Sequence, residues 1–228
     1  MQRMAEAIDA YGEPGQRLRV VHIGGAGMSL ARYVAATRPT SAQIVLEPDA
    51  ELTQEVRDKA PLPRRSGIKV RPVDGRTGMS AVPDDYAHVV ILDAFAGARV
   101  PAELVTLEFL ADVRRVLVGD GLFLANVTDS GKLDWARRAA AGVRATWAEA
   151  LVSAEPSTWR GRRFGNVILY GSGAPIPARE LARAAAGAVF AYRVVDGIEL
   201  AGWCGGARPF TDEDAEPSPP PPEMFLGH

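Results

Sequence analysis

Three carboxylates follow a glycine-rich turn at intervals that could bring them to one site. The turn, GGAG at 24–27, is entered from the apolar residues Val20, Val21 and Ile23 and left through a helix-like segment. Glu47 ends the next apolar run, Asp74 follows the third, and Asp93 ends the fourth. A glycine turn lets a ligand lie against bare backbone, and the start of the following helix offers unpaired N–H groups. Glu47 stands 20 residues beyond Gly27, the separation at which a carboxylate accepts hydrogen bonds from ribose hydroxyls. Taken singly, strand-end acids are often helix caps or solvated loop residues. Three in succession behind one glycine turn point to a shared ligand site.

The elements that must position these acids alternate along the chain. Residues 19–23, 43–47, 68–72, 88–93 and 121–127 are predicted strands, and 29–37, 50–60, 101–117 and 132–150 predicted helices. Strands that are apolar throughout suit a sheet covered on both faces, so the alternation predicts an α/β fold with a parallel sheet. In such a sheet, ligands bind beyond the carboxyl ends of the strands, where the three acids fall. Near residue 150 the rhythm changes: 150–155 and 164–171 read as an antiparallel hairpin closing the sheet, with a further helix at 178–188. A short amphipathic helix and linker occupy 1–16, the nucleotide-binding domain 17–207, and a proline-rich C-terminal tail 208–228. Residues 217–222 are almost all proline and read as an extended strap that packs, in preference to a ligand for an SH3-type domain.

Composition narrows the classes. At 228 residues the chain can form one well-cored domain, and its 47% hydrophobic content is ordinary for a globular protein. A formal charge of −2 offers no bulk attraction to nucleic acid or to an anionic membrane surface. No apolar run approaches the ~20 residues a membrane span needs, and the N-terminus lacks a signal-peptide pattern, so a cytoplasmic protein is expected. Cys204 is the one cysteine; an internal disulfide is excluded, and no metal is expected.

A dinucleotide-binding turn would place a third glycine where Leu30 stands. Its absence moves the reading toward an S-adenosyl compound. Glu47 would then hold the ribose, Asp74 with Gly75 would meet the adenine edge, and Asp93 would face the reacting centre. Asn126 and Asp129, after the fifth strand, lie at the same edge of the sheet. His22 and His88 lie inside strands without a carboxylate partner in sequence, and read as core or pocket-lining residues in preference to catalysts. The four tryptophans read as packing residues, with Trp203 and Phe95 able to line a pocket.

From about Arg19 to Tyr170 the chain resembles the spermidine synthase (polyamine aminopropyltransferase) family, which shares the class I methyltransferase, Rossmann-like fold. GGAGMS at 24–29 is similar to the family's GGGDGG, Glu47 in VLEPDAEL matches its ribose-binding acid, and VDG at 73–75 its adenine motif. YAHVVILDAFAGARVPAELVTLEFL at 86–110 looks like the catalytic strand and gate loop, placing the catalytic aspartate on Asp93 and the loop's PAE on Pro101, Ala102 and Glu103. RRFGN at 162–166 and the TD-x-D of 211–214 recur in stand-alone members from high-GC, actinobacterial-type bacteria. The resemblance implies a seven-stranded, mostly parallel sheet with a C-terminal antiparallel hairpin and helices on both faces. It implies Gly24, Gly25, Gly27, Glu47, Asp74 and Gly75 on the donor, which is S-adenosylmethionine or its decarboxylated form as co-substrate. It further implies Asp93 as base, a small-molecule amine substrate for which Glu103, Asp129 and Asp212 are candidate ligands, and a homodimer.

Departures from the family pattern keep other readings open. The family's aspartate that grips the donor's amino group is Gly27 here, the second aspartate of its DxxDP motif is Ala96, and its closing tyrosine is Leu110. Only 18 residues precede Arg19, where the family carries a β-rich domain, so a member lacking it is expected. Methyltransferases place an acid where His22 stands, and glycines at Ala26 and Met28. Three readings stand in order: aminopropyl transfer, methyl transfer from S-adenosylmethionine, and a non-catalytic nucleoside-binding or scaffold protein.

Overall fold

The computed structural model describes residues 1–25 and 27–222; Ala26 of the glycine turn and residues 223–228 of the proposed tail lie outside the described residues. The chain opens with α1 (Gln2–Asp9), followed by β1 (Arg19–Gly24), α2 (Ser29–Thr37), β2 (Ala42–Leu46), α3 (Ala50–Lys59), β3 (Ile68–Arg71), α4 (Gly75–Ser80) and β4 (Ala87–Asp93). A 3₁₀ turn at Ala102–Leu104 leads to α5 (Leu107–Val116), β5 (Leu117–Asp129) and α6 (Asp134–Thr146). Then come β6 (Glu149–Ala154), α7 (Pro156–Trp159), β7 (Gly165–Ser172), α8 (Ala178–Gly187), β8 (Arg193–Asp196) and α9 (Gly197–Cys204).

Eight strands form one sheet in the order β3-β2-β1-β4-β5-β7-β6-β8. The pairs from β3 through to β5 are parallel, and those of β7 with β5 and β6, and of β6 with β8, are antiparallel. The sheet therefore has one strand more than the sequence pattern indicates. The extra one, β8, is a four-residue edge strand too short to show a period. The helix predicted over 101–117 divides into the 3₁₀ turn and α5, because the Thr106 side chain accepts from the Phe109 N–H and caps α5 there. The helix predicted over 132–150 stops at Thr146. Trp147 stacks on Phe123 at 5.0 Å between ring centroids, and β6 starts at Glu149.

Alternation along the strands sorts side chains onto two faces. Val21, Ile23, Val90 and Leu92 pack with Phe109, Val113 and Phe123 on one. Val20, Val89, Ile91 and Leu124 pack with Met4 and Ile8 of α1 and with Leu30 and Val34 of α2 on the other. By the same period of two, His22, Asp93 and Asn126 project to the second face. The chain leaves β1 toward β2 and leaves the adjacent β4 toward β5, in opposite directions, so a crevice opens between them at the carboxyl edge. Among the described residues no helix is long and apolar enough to cross a membrane.

Two segments outside the sheet are tied to it by named bonds. The Arg38 guanidinium is buried and donates to the carbonyls of Ile8, Asp9, Tyr11 and Glu13, which fixes the linker after α1. At the other end, Phe210 bridges to Thr106, Trp135 Nε1 donates to the Glu216 carbonyl, and Ser218 exchanges bonds with Val100 (Ser218 N–H to Val100 O at 3.1 Å, Val100 N–H to Ser218 Oγ at 2.9 Å). Arg99 donates to the carbonyls of Pro217 and Ser218. The described part of the proline-rich segment is thus a strap on the loop after β4. Arg38→Leu removes all four bonds, leaves the part-buried Asp9 and Tyr11 carbonyls without that donor, and is expected to cost about 2–4 kcal/mol of stability in urea denaturation; an unchanged midpoint contradicts the clamp.

Candidate active site

Gly24 pairs in register with Asp93, at the ends of β1 and β4. Its φ is +77°, and a Cβ there would lie 2.6 Å from Ala94 Cα and 2.7 Å from the Asp93 carbonyl oxygen. Only glycine lets β1 turn away this close to β4. Two connected cavities flank the point of contact. The larger, about 440 Å³, spreads over the ends of β1, β2 and β4 and the start of α4. The smaller, about 190 Å³, lies between β1, β4 and the first turn of α2. Gly24, Gly25, Asp93 and Phe95 line both.

Five acids line the larger cavity: Glu47, Asp49, Asp74, Asp93 and Glu103, and no lysine or arginine side chain lines either one among the described residues. The Met1 amino group reaches the smaller cavity beside Asp93, whereas the larger is lined by one sign of charge and so concentrates ligands of the other. Glu47, 9% exposed, is oriented by the Asp49 N–H, which donates to its Oε1 at 3.1 Å. Asp49 caps α3 through the Leu52 N–H. Asp74 caps α4 and also lines the cavity, so the helix-cap and ligand readings meet in one residue; the Thr77 N–H holds its carboxyl below the usual carboxylate range. Gly75 forms the floor, where a Cβ would lie 2.3 Å from Ile23 Cγ2. Glu103 reaches the cavity from the 3₁₀ turn. Gly27 lines the smaller cavity, not the larger.

Asp93 sits where the cavities join. Asn126 Nδ2 donates to its Oδ1 at 2.9 Å, and Oδ2 has no hydrogen bond among the described residues. The Asn126 carbonyl oxygen is buried and likewise has no partner among them. The amide therefore fixes the carboxylate and leaves one oxygen for a ligand. On the same face, His22 Nε2 lies 2.9 Å from Gln43 Oε1, and Gln43 Nε2 donates to the Ala31 carbonyl at 2.9 Å. Gln43 must accept through Oε1, so His22 donates from Nε2. Burial pushes its pKa down to about 4, and the imidazole is neutral.

Two of the acids expected to contact substrate line neither cavity. Asp129 is buried and accepts from the Ser130 and Ala136 N–H groups, joining the end of β5 to α6; burial raises its pKa. Asp212 forms a two-toothed ion pair with Arg76 at 2.7 and 2.5 Å, which lowers its pKa, and Arg76 also donates to the Glu103 carbonyl. Asp212 thus supports the turn that carries Glu103. Trp203 packs edge-on against Trp159 and lines neither cavity, whereas Phe95 lines both. The sequence reading missed Asp49 and Gln43. The acid two residues past Glu47 could have been noticed; Gln43 only acquires meaning opposite His22 across the β1–β2 pair.

His22 charges near 6.5 in the unfolded chain and near 4 in the folded one. Between those values the unfolded state binds more protons, so stability falls as pH drops through the interval. His22→Asn is expected to remove most of that fall in urea denaturation; the same slope in the variant contradicts a neutral, buried ring.

No protein-family model matches the sequence, and no curated protein does. Solved structures do. A probable spermidine synthase from Corynebacterium glutamicum is 31% identical with a TM-score of 0.84, over 92% of this chain and 78% of that one. A spermidine synthase in complex with the transition-state analogue AdoDATO gives 18% identity and a TM-score of 0.63, over 78% of this chain and 62% of that one. Human methyltransferase-like protein 13 in complex with SAH gives 19% identity and a TM-score of 0.62, over 92% of both chains. At these two lower identities the likeness is one of fold.

Proposed function

The chain belongs to the spermidine synthase-like family, within the fold of the S-adenosyl-dependent transferases, and from that premise we propose that it transfers an aminopropyl group from decarboxylated S-adenosylmethionine to a small amine. The observation that carries this is the acid-lined larger cavity joined at Asp93 to a smaller one, with no lysine or arginine side chain lining either among the described residues. Donor and acceptor are both cations, and the cleft suits both.

Glu47 at the end of β2 accepts from the ribose hydroxyls, and Asp74 with Gly75 meets the adenine edge. The sulfonium then lies near Asp93, beneath the turn of Gly24 and Gly25. The acceptor nitrogen attacks the methylene carbon beside sulfur, the C–S bond breaks with its electron pair going to sulfur, and neutral methylthioadenosine leaves. Asp93 Oδ2 takes the proton that nitrogen loses, while Asn126 keeps Oδ1 in place. The sulfonium already activates the leaving group, so positioning and proton removal are what the protein must add. Glu103 on the cavity rim meets the far ammonium of a diamine.

Gly27 supports a second reading, methyl transfer. It leaves the turn without a carboxylate, and a carboxylate-bearing donor meets no repulsion at that position. The two separate in one assay. Aminopropyl transfer is expected to yield spermidine and methylthioadenosine in equal amounts from decarboxylated donor and putrescine, and Asp93→Asn to lower kcat by about 10²–10⁴-fold. Wild type that forms no polyamine from any of several diamines contradicts the proposal; release of S-adenosylhomocysteine from S-adenosylmethionine with cell extract would establish methyl transfer instead.

A further inference from the structure

His22 lines the smaller cavity, is 4% exposed and takes no part in the chemistry above. Its Nε2–H is committed to Gln43, and Gln43 cannot reverse its amide without turning a carbonyl oxygen against the Ala31 carbonyl. The ring's other nitrogen, Nδ1, is therefore a bare lone pair, and it makes no hydrogen bond among the described residues. Leu30, Val45 and Ile91 give this cavity apolar walls, and Asp93 stands where it joins the larger one. Such a space has apolar sides and two acceptors, Nδ1 and the Asp93 carboxylate, with the Met1 amino group and the Ser29 hydroxyl as donors at its edge.

We infer that His22 is a specificity-determining residue for the donor, accepting through Nδ1 a hydrogen bond from a primary ammonium at the end of a short alkyl chain. This deepens the aminopropyl-transfer reading and rests on it. The donor's nucleoside occupies the larger cavity and its aminopropyl tail turns past Asp93 into the smaller one. A tail ending in both ammonium and carboxylate would set its anionic oxygens against these two acceptors, so His22 and Asp93 act in favour of the decarboxylated donor, and the Met1 amino group beside Asp93 acts against it. The neutral ring supplies an acceptor on this face of the sheet while Gly27 leaves the turn without one.

The test is calorimetric titration of the intact chain and of His22→Leu and His22→Asn with three probes: decarboxylated S-adenosylmethionine, S-adenosylmethionine and methylthioadenosine, which lacks the amine tail. Wild type is expected to bind the decarboxylated donor more tightly than either of the others. His22→Leu is expected to lose about tenfold or more of the preference over methylthioadenosine, the range for a hydrogen bond to a charged group, while binding methylthioadenosine as wild type does. His22→Asn, which keeps a polar acceptor near the Nδ1 position, is expected to retain most of the preference and decides the matter should His22→Leu not fold. A preference unchanged in His22→Leu, or lost in His22→Asn, overturns the assignment. So does tighter binding of S-adenosylmethionine by wild type, which would mean that the Met1 amino group and the N–H groups starting α2 outweigh the two acceptors. If wild type fails to bind methylthioadenosine at all, the aminopropyl-transfer reading falls, and this inference falls with it.

Discussion

Gly24 meets the end of β4 with no room for a side chain, and the rest of the site depends on that contact. Because β1 turns away at this point, the crevice between the outgoing chains begins at backbone level, with Asp93 directly opposite in register. The parallel pairing of β1 with β2 and β4 then sets the remaining positions. Glu47 stands one residue past β2, and His22 and Asp93 fall on one face by the period of two. Any residue larger than glycine at position 24 would have to push β4 away, and Asp93 with it.

Carboxylates gathered in one cleft repel one another unless local donors hold them. Here the donors are built into the elements that bring the acids together. Asp49 and Asp74 are helix caps, Glu47 takes the Asp49 N–H, and Asp93 takes the Asn126 amide. The acids that stand outside the cleft hold structure instead: Asp129 joins β5 to α6, and Asp212 reaches Glu103's turn through Arg76. The C-terminal strap acts on the same rim, since Ser218 and Arg99 pin the loop between Asp93 and Glu103. The loop that closes one side of the cleft is therefore held from the far end of the chain.

The sequence made the parallel half of the sheet legible because β1, β2, β4 and the second half of β5 are buried on both faces and run into an acid or a glycine. Glu47, Asp74 and Asp93 could be grouped from spacing alone, since each follows an apolar run. Asp129 and Asp212 looked equivalent in sequence, and what separates them from the site is non-local. One is drawn inward by N–H groups from α6, the other by an arginine 136 positions away. The His22–Gln43 bond was invisible for the same reason, because it exists only once β1 lies beside β2. β8 escaped notice through its length, and the strap was legible as one that packs but not in its contacts, because proline runs carry no period that shows what they touch.

The most direct test of the shared-site account is a crystal structure of the protein with methylthioadenosine bound. The expected result is a ribose on Glu47, the adenine edge at Asp74 and Gly75, and sulfur beside Asp93 at the junction of the two cavities. A nucleoside bound elsewhere, or one in this cleft with its sulfur turned away from Asp93, would contradict it.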